Sequence, residues 1–289
     1  MLAGLALIDK PEGHTSHDVV ARVRRMANTR RVGHAGTLDP MATGLLILGI
    51  ESATKLLTFI VGDDKTYETT IRLGMATVTD DREGDAISEA DASSLTDEQI
   101  RIEVSNLTGD ILQVPSSVSA IKVDGERAYA LVRGGDEVKL KARPVTVARF
   151  EVTGIRRVGS FIDVDAVIDC SSGTYIRALA RDLGNALGVG GHLTALRRTR
   201  VGKYSIDDAR TLDDELKVMP IDEAARAAFD CLVLDEQGVT DLIHGKRLKA
   251  GEQLTEPVAA FAPSGRLVAM LTRSGNQYKS LVVFPLGEK

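Results

Sequence analysis

Apolar residues along the chain follow the pattern of a strand in several places. An apolar run or an apolar–polar alternation predicts strands at Leu5–Ile8, Tyr67–Leu73, Val145–Ile155 and Phe161–Cys170. In the last of these strands, the apolar positions alternate with aspartates. One face of that strand is therefore predicted to be buried and the other to contact water.

Three other segments carry the signals of a helix start. Ser16 is predicted as an N-cap because Asp18 follows in the first turn and apolar residues then recur at helical spacing. Thr96 and Gln99 have the spacing of a capping box, and Thr174 precedes an amphipathic segment that a glycine ends. These signals predict helices that begin near residues 16, 96 and 174.

The dipeptide Asp39-Pro40 carries a fourth helix-start signal. Asp at the N-cap followed by Pro is a common start, and the apolar run Leu45–Leu48 comes next. Glycines at positions 33, 36 and 44 support a second interpretation, in which the backbone approaches a ligand closely and Asp39 presents a carboxylate to it. The two interpretations are compatible, and the pattern favours a helix that begins at Asp39.

The second half of the chain contains segments of different character. Gln113–Arg143 holds several glycines and many charges, which predicts an exposed insertion or a loosely packed hairpin. Residues 207–228 are acidic and are predicted to be helical. About the last 60 residues contain short strand patterns, Arg266–Thr272 and Ser280–Pro285, separated by Gly and Pro. They predict a small all-β module.

Composition excludes several classes of protein. The chain has 289 residues, of which 43% are hydrophobic and 27% are charged, the usual proportions of a globular protein. No stretch approaches the roughly 18 apolar residues that span a bilayer, and the apolar start lacks the basic flank of a signal peptide. The two cysteines, Cys170 and Cys231, form neither a disulfide framework nor a CxxC site, so a reducing cytoplasm is expected.

Charge is distributed unevenly along the chain. The net charge is −5, yet residues 19–38 contain five arginines and no acid, and residues 183–206 contain four cations and no acid. Acids concentrate in residues 80–98 and 207–223. Phosphate contacts depend on local potential, so a protein with two acid-free arginine clusters can bind a polyanion despite its net charge. The alternative is that these clusters are ordinary solvated surface.

Other chemical motifs are weak. His14, His17 and His34 lie near one another in sequence, but no cysteine or carboxylate pattern completes a metal site, so none is expected. Tyr175 and Arg177 follow a predicted strand-to-helix turn, which is a common place for active-site groups. A partly buried tyrosine and a surface arginine would give the same pattern.

Six ordered blocks of residues resemble the signature sequences of the bacterial TruB-type tRNA pseudouridine synthases. The blocks are Lys10–Ser16, Gly33–Gly44, Lys65–Tyr67, Ser119–Tyr129, Cys170–Arg177 and Gly191–Thr199. The second block, GHAGTLDPMATG, is similar to the catalytic signature of the family. The resemblance covers about residues 4–205, and six blocks in the order of the family make it specific.

This resemblance implies an isomerase that converts the uridine at position 55, in the T loop of tRNA, to pseudouridine without a metal or an organic cofactor. It implies that Asp39 is the nucleophile, that Tyr67 stacks on the base and accepts the C5 proton, and that Arg177 pairs with the aspartate. A hypothesis follows that Arg177 keeps Asp39 ionised. The further residues for which the resemblance and the basic clusters imply substrate contact are Lys10, His34, Gly36, Leu38, Lys122, Tyr175, Arg197 and Arg198.

The resemblance also implies a fold. We expect a mixed α/β (α+β) pseudouridine synthase fold, with a largely antiparallel central sheet flanked by helices, in residues 1–228. An RNA-gripping thumb insertion is expected at about residues 113–143, and a small all-β, PUA-like domain at residues 229–289. The expected partner is the T stem-loop of tRNA, and a cytoplasmic monomer without membrane contact is expected.

Two alternative functions stay open from the sequence. A non-catalytic tRNA-binding or tRNA-folding protein could use the same fold, but binding alone does not need a carboxylate beside phosphates. A carboxylate-dependent glycosidase or nucleosidase would usually need two working carboxylates, and the sequence offers no convincing partner for Asp39. Whether Asp39 reacts, and with what product, therefore distinguishes a synthase from an RNA-binding protein and from a glycosidase or nucleosidase.

Overall fold

The computed structural model describes residues 3–116, 140–251 and 254–284, with the backbone alone at residues 122–123 and 126–127. Its helices are α1 (Ser16–Met26), α2 (Leu57–Ile60), α3 (Asp97–Asn106), α4 (Ile176–Ala186), α5 (Ile221–Ala228) and α6 (Glu236–Ile243). Short 3-10 helices occupy Glu51–Lys55 and Ile206–Asp208. Among the described residues, no helix is long and apolar enough to cross a membrane.

The strands follow one another in three groups along the chain. The first group is β1 (Gly4–Lys10), β2 (Val32–Ala35), β3 (Thr43–Ile50), β4 (Lys65–Leu73), β5 (Met75–Thr77) and β6 (Ala86–Glu89). The second group is β7 (Gly109–Gln113), β8 (Lys122–Val123), β9 (Glu126–Arg127), β10 (Arg143–Val158), β11 (Phe161–Cys170) and β12 (Gly191–Val201). The third group is β13 (Tyr204–Ser205), β14 (Met219–Pro220), β15 (Cys231–Val233), β16 (Leu248–Lys249), β17 (Val258–Phe261), β18 (Leu267–Ser274) and β19 (Gln277–Val283).

The chain folds into two compact units. The first unit contains Met1–Pro40, Gly44–Gly62 and Gly202–Lys289, and the second contains Met41–Thr43 and Asp63–Val201. In the first unit, β1 is antiparallel to β14 on one side and to β3 on the other, and β2 is antiparallel to β3. In the second unit the strand order is β12-β4-β11-β10-β7, with every neighbouring pair antiparallel. These sheets and their helices confirm the predicted mixed α+β fold.

The predicted helix after Asp39-Pro40 is wrong. The residues that follow the dipeptide form β3, which pairs with β1 along the whole length of that strand. Leu45–Leu48 is completely buried. A short apolar run without polar alternation is equally compatible with a buried helix and with a strand covered on both faces, so only the pairing distinguishes them.

The caps of two helices differ from the prediction by one residue. Thr15, not Ser16, caps α1: its Oγ1 accepts a bond from the Asp18 N–H at 3.1 Å, and Asp18 accepts one from the Thr15 N–H at 2.8 Å. At α4 the N-cap is Tyr175, because the Thr174 hydroxyl donates instead to a backbone carbonyl of the preceding turn. The predicted capping box of Thr96 at α3 is confirmed.

The predicted alternation of β11 is confirmed, with one difference. Most of its apolar side chains are buried, and its aspartates lie on the opposite face. On that face Asp163 receives two bonds from Arg72, at 2.7 and 2.8 Å, and is only 7% exposed. Asp169 accepts bonds from Thr66 at 2.5 Å and from Arg149 at 2.8 Å. The predicted solvated face is thus partly covered by cross-strand ion pairs.

The predicted C-terminal β module is confirmed by a five-stranded sheet of order β15-β17-β18-β19-β16. α6 packs on this sheet through Val239 and Leu242. The acidic segment 207–228 is less helical than predicted, because residues 209–218 lie outside any helix. α5 contacts the sheet: the Arg226 guanidinium lies 3.8 Å from the centre of the Phe261 ring.

The predicted thumb insertion lies mostly outside the described residues. Its two ends are described, since Gln113 at the end of β7 is paired directly with Arg143 at the start of β10. The backbone of β8 and β9 forms a two-residue antiparallel pair. Lys122 lies in β8, and its side chain is outside the described part of the chain.

Candidate active site

Asp39 lies in the loop between β2 and β3 of the first unit and is partly exposed. The residue before it is held by α1: the buried Ser16 hydroxyl accepts a bond from the Leu38 N–H at 2.9 Å and lies 3.1 Å from the Leu38 carbonyl, to which it donates. The Leu38 side chain is only 4% exposed. The Ser16 hydroxyl therefore holds both the N–H and the carbonyl of Leu38, the residue that precedes Asp39.

The residue after Asp39 is anchored by the segment that follows β1. Lys10 is completely buried, and its ammonium donates to the carbonyls of Pro11, His14 and Pro40, at 3.0, 2.6 and 3.3 Å. The Gly13 N–H also donates to the Pro40 carbonyl, at 2.9 Å. Residues 10–16 and the Asp39 loop thus support each other. The burial of Lys10 favours a positioning role over the direct substrate contact that was predicted for it.

The three glycines near Asp39 differ in whether the backbone conformation requires glycine. Gly36 has φ +80° and Gly44 has φ +102°, a region that side chains rarely adopt, so these two positions require glycine. Gly33 lies in β2 without such a φ, and a Cβ there would make only ordinary contacts, with Leu57 at 3.5 Å and Thr54 at 3.9 Å. His34 is half-buried, with its ring edge-on to His17 at 5.7 Å between centroids. Glycine is therefore required at positions 36 and 44, on either side of Asp39, but not at position 33.

Tyr67 lies on β4 in the second unit and is 7% exposed. Arg198 of β12 is directly opposite it, so the two side chains share one face of the sheet, and Arg198 is 1% exposed. Lys65, two residues before Tyr67, is on the same face, and burial together with the charge of Arg198 lowers its pKa. The surroundings of Tyr67 therefore contain two buried cationic side chains.

Arg177 lies in the first turn of α4 and is buried. Its Nη1 donates to the Thr79 carbonyl at 2.9 Å and lies 3.5 Å from a carboxylate oxygen of Asp81. Asp81 is itself held by the Thr79 hydroxyl at 2.5 Å and by the Glu83 N–H at 3.0 Å. Within its own unit, the guanidinium is thus fixed by the loop after β5. The predicted pairing of Arg177 with Asp39 stays a prediction.

Tyr175 is joined to the end of β7. The Gln113 side-chain amide donates to the Tyr175 carbonyl at 3.1 Å, and its oxygen accepts the Tyr175 N–H at 2.8 Å. The backbone of Tyr175, which caps α4, is therefore held by a side chain from a different strand.

The two arginine clusters have different environments. The five arginines of residues 19–38 are all exposed, as a surface for a polyanion requires. In the second cluster only Lys203 is exposed. Arg197 is half-buried, with its Nη1 3.4 Å from the Thr43 hydroxyl, and Arg200 lies 3.8 Å from Asp169. The three arginines of the second cluster are thus less exposed than those of the first.

Three family profiles match the sequence. Residues 24–176 match the TruB family pseudouridylate synthase N-terminal domain, which is more than half of the chain. Residues 177–235 match the tRNA pseudouridylate synthase B C-terminal domain, and residues 229–285 match the tRNA pseudouridine synthase II C-terminal domain. The chain belongs to the TruB family of pseudouridylate synthases.

Relatives resemble this TruB-family chain along nearly its whole length. The tRNA pseudouridine synthase B of Paenarthrobacter aurescens (strain TC1) is 58% identical over 300 residues, covering 99% of this chain and 96% of that protein. The protein of the same name from Arthrobacter sp. (strain FB24) is 59% identical over 297 residues, covering 98% and 97%. The identities confirm the resemblance that the six blocks indicated.

Solved structures agree with this assignment of the fold. A chain of a Cbf5-Nop10-Gar1 complex matches with a TM-score of 0.72 and 25% identity, covering 97% of this chain and 84% of that one. A chain of an H/ACA RNP bound to a substrate RNA containing 2'-deoxyuridine matches with a TM-score of 0.71 and 25% identity, covering 98% and 85%. The fold is therefore shared with these chains over nearly the whole length of this one.

The sequence did not reveal the part that Asp80 and Asp81 play in this TruB-family chain. Both lie at the start of the acidic run of residues 80–98, yet they are only 7% and 3% exposed. Asp80 lies 3.3 Å from Arg181, and burial raises its pKa although Arg181 and Arg177 oppose the rise. Only the pairing of these acids with arginines on α4, about a hundred residues away, distinguishes them from the exposed acids that follow.

Within each unit of this TruB-family chain, predicted site residues lie in groups. The first unit places the predicted residues Lys10, His34, Gly36, Leu38 and Asp39 on one loop system. The second unit places Tyr67 and Arg198 across from each other, and Tyr175 and Arg177 at the start of one helix. Among the residues that the structure describes, no group of three or more His, Cys, Asp or Glu side chains could hold a metal ion.

Proposed function

We propose that this chain is a tRNA pseudouridine synthase that converts uridine-55 of the T loop to pseudouridine. The observation that carries the proposal is the anchoring of Asp39, a partly exposed carboxylate whose neighbours on both sides are fixed by buried side chains. A nucleophile must be presented to its target in one geometry, and such anchoring supplies that geometry. The tRNA substrate is supported by the names of the relatives.

In the proposed reaction, the bond between N1 of the base and C1′ of the ribose breaks, the base rotates, and a bond from C5 to C1′ forms. N1 gains a proton and C5 loses one, so the reaction is an isomerisation with no net redox change. Asp39 acts as the nucleophile toward the uridine, and Tyr67 stacks on the base and accepts the C5 proton. Arg177 pairs with the reacting carboxylate in this proposal. The proposed reaction uses neither a metal nor an organic cofactor.

The target nucleotide must leave its loop before it can react. Extrusion of a base costs a few kcal/mol, which phosphate contacts elsewhere must offset. The exposed arginines of residues 19–38 are suited to such contacts. Lys65 and Arg198, buried beside Tyr67, add positive charge where a nucleotide would enter.

The domain organisation is proposed on the same basis. Residues 1–228 form the catalytic domain, with a thumb that grips RNA at about residues 113–143, and residues 229–289 form a PUA-like domain. The five-stranded C-terminal sheet supports the second assignment. We further propose that the protein acts as a monomer in the cytoplasm.

Release of tritium from C5-labelled uridine in an unmodified T-arm hairpin tests the proposed function. Asp39→Asn should abolish release, because an amide cannot act as the nucleophile, while the variant still binds the hairpin. Asp213→Asn, at an exposed position outside the site, is the matched control and should release tritium at the wild-type rate. Binding by the wild type without any release would instead favour an RNA-binding protein on this fold.

Hydrolysis products would indicate the third possibility. A glycosidase or nucleosidase would release free uracil or sugar, whereas an isomerase keeps the base attached. Chromatography of the hairpin digest after complete reaction separates pseudouridine from abasic products. Uracil in place of pseudouridine would refute the proposed isomerisation.

A further inference from the structure

The end of β7 is attached to α4 at two places, its N-cap residue and its second turn. Gln113 makes a reciprocal pair of hydrogen bonds with the backbone of Tyr175, at 2.8 and 3.1 Å, and is only 2% exposed. One residue further along, the Val114 carbonyl accepts a bond from Arg181 Nη2 at 2.6 Å. Arg177 lies on α4 between these two attachments.

The first attachment holds the N-cap residue of α4 through its own backbone and leaves the N–H groups of the first turn uncapped. The first N–H groups of a helix lack partners within the helix, and a Ser, Thr, Asp or Asn side chain at the N-cap usually supplies one. The N-cap of α4 is Tyr175, which makes no such bond. Gln113 instead fixes both polar groups of the Tyr175 backbone, as a neighbouring strand would. The position of the first turn of α4 therefore depends on a residue 62 positions earlier in the chain.

We propose that Gln113 is a positioning residue for the reaction, which holds the first turn of α4 so that Tyr175 and Arg177 meet the substrate in a single geometry. This inference rests on the proposed function. Gln113 acts through the backbone of Tyr175, because both polar atoms of its side chain are bonded there. Gln113 is the last residue of β7 and the first residue of the segment proposed to grip RNA, about residues 113–143.

The physical reason for a rate effect is the sensitivity of catalysis to small displacements. Loss of both bonds frees the Tyr175 backbone, and the guanidinium two residues later moves with it. A misplacement of about 1 Å in an active site can cost up to about a hundredfold in rate. Binding of RNA depends mainly on many separate phosphate contacts, so it should change little.

Gln113→Met tests the proposal because methionine has a similar length and volume but makes neither bond. The single-turnover rate of tritium release should fall at least about tenfold, and the Kd for the T-arm hairpin should stay within about twofold. Gln99→Met is the matched control: Gln99 also bonds to the backbone of a helix N-cap, at 2.8 Å from the Thr96 nitrogen, but on α3, which carries no predicted site residue. It should lower Tm without lowering the rate.

Gln113→Glu provides a second test that retains one of the two bonds. A glutamate can still accept the Tyr175 N–H, but it cannot donate to the Tyr175 carbonyl when ionised. An intermediate loss of rate, again without loss of binding, supports the proposal. The proposal is overturned if either variant, measured well below its own Tm, turns over like the wild type. Absence of tritium release from the wild type would instead reject the proposed function.

Discussion

Ser16 gives the most direct test of how the Asp39 loop is held. Ser16→Ala deletes one hydroxyl that serves both the N–H and the carbonyl of Leu38, the residue before Asp39. Ser16 is 2% exposed and Leu38 is 4% exposed, so water cannot readily replace the lost partner. The substitution therefore leaves one donor and one acceptor of the buried backbone without the partner they have in the native protein.

The magnitude follows from the number of groups affected. An unsatisfied buried donor or acceptor costs about 1–3 kcal/mol, and two groups whose surroundings relax in part give about 2–4 kcal/mol for Ser16→Ala. A chain of this size loses about 2–4 °C of Tm for each kcal/mol, so a decrease of about 5–15 °C is expected. The freed Leu38–Asp39 peptide should also lower the single-turnover rate by about tenfold or more.

Thr15→Ala supplies the control at the neighbouring position. Thr15 is exposed and caps α1, so its loss should cost about 1 kcal/mol and should leave the rate of reaction unchanged. Thermal unfolding and single-turnover tritium release would be measured on both variants. If Ser16→Ala lowered Tm no more than Thr15→Ala and retained the full rate, the argument that Ser16 holds the Asp39 loop would be refuted.

Two further predictions concern a buried acid and the loop glycines. Burial raises the pKa of Asp80 above its ordinary value of 3.8, so its contribution to stability is complete at low pH and is lost as pH rises through the raised pKa. The Tm of the wild type, relative to Asp80→Asn, should therefore fall as pH rises above 4, and a constant difference from pH 4 to 8 would contradict this. Gly36→Ala should cost about 1–2 kcal/mol because of its positive φ, whereas Gly33→Ala should unfold within about 0.5 kcal/mol of the wild type. Equal unfolding midpoints in urea for the two glycine variants would contradict the second prediction.

The candidate residues were found largely from local sequence blocks. The block around Asp39 and the block around Arg177 each keep the order and spacing of a short motif, and such spacing is preserved in a linear sequence. What the blocks could not show is how the residues are held. Lys10 is the clearest example, because the resemblance implied substrate contact, whereas its ammonium is buried among three carbonyls. Burial depends on segments that are distant in sequence.

The prediction for β3 was wrong for a related reason. Leu45–Leu48 has no polar residue to reveal a period of two or of 3.6, so propensity and a strong helix-start signal at Asp39 favoured a helix. Pairing with β1 and burial on both faces favoured a strand instead. By contrast, β11 was predicted correctly because its aspartates mark every second position over most of its length.

The sequence by itself determined the features that act within a few residues or a short motif: the α3 capping box, the alternation of β11 and the six blocks that identify the family. The tertiary structure decided the partners that lie far along the chain. Ser16 bonds Leu38 instead of capping its helix, Asp81 lies beside Arg177 instead of facing water, and Gln113 holds the start of α4. Hydrogen bonds and ion pairs of this kind depend on distances in space, and those distances are fixed only when the sheets and helices pack.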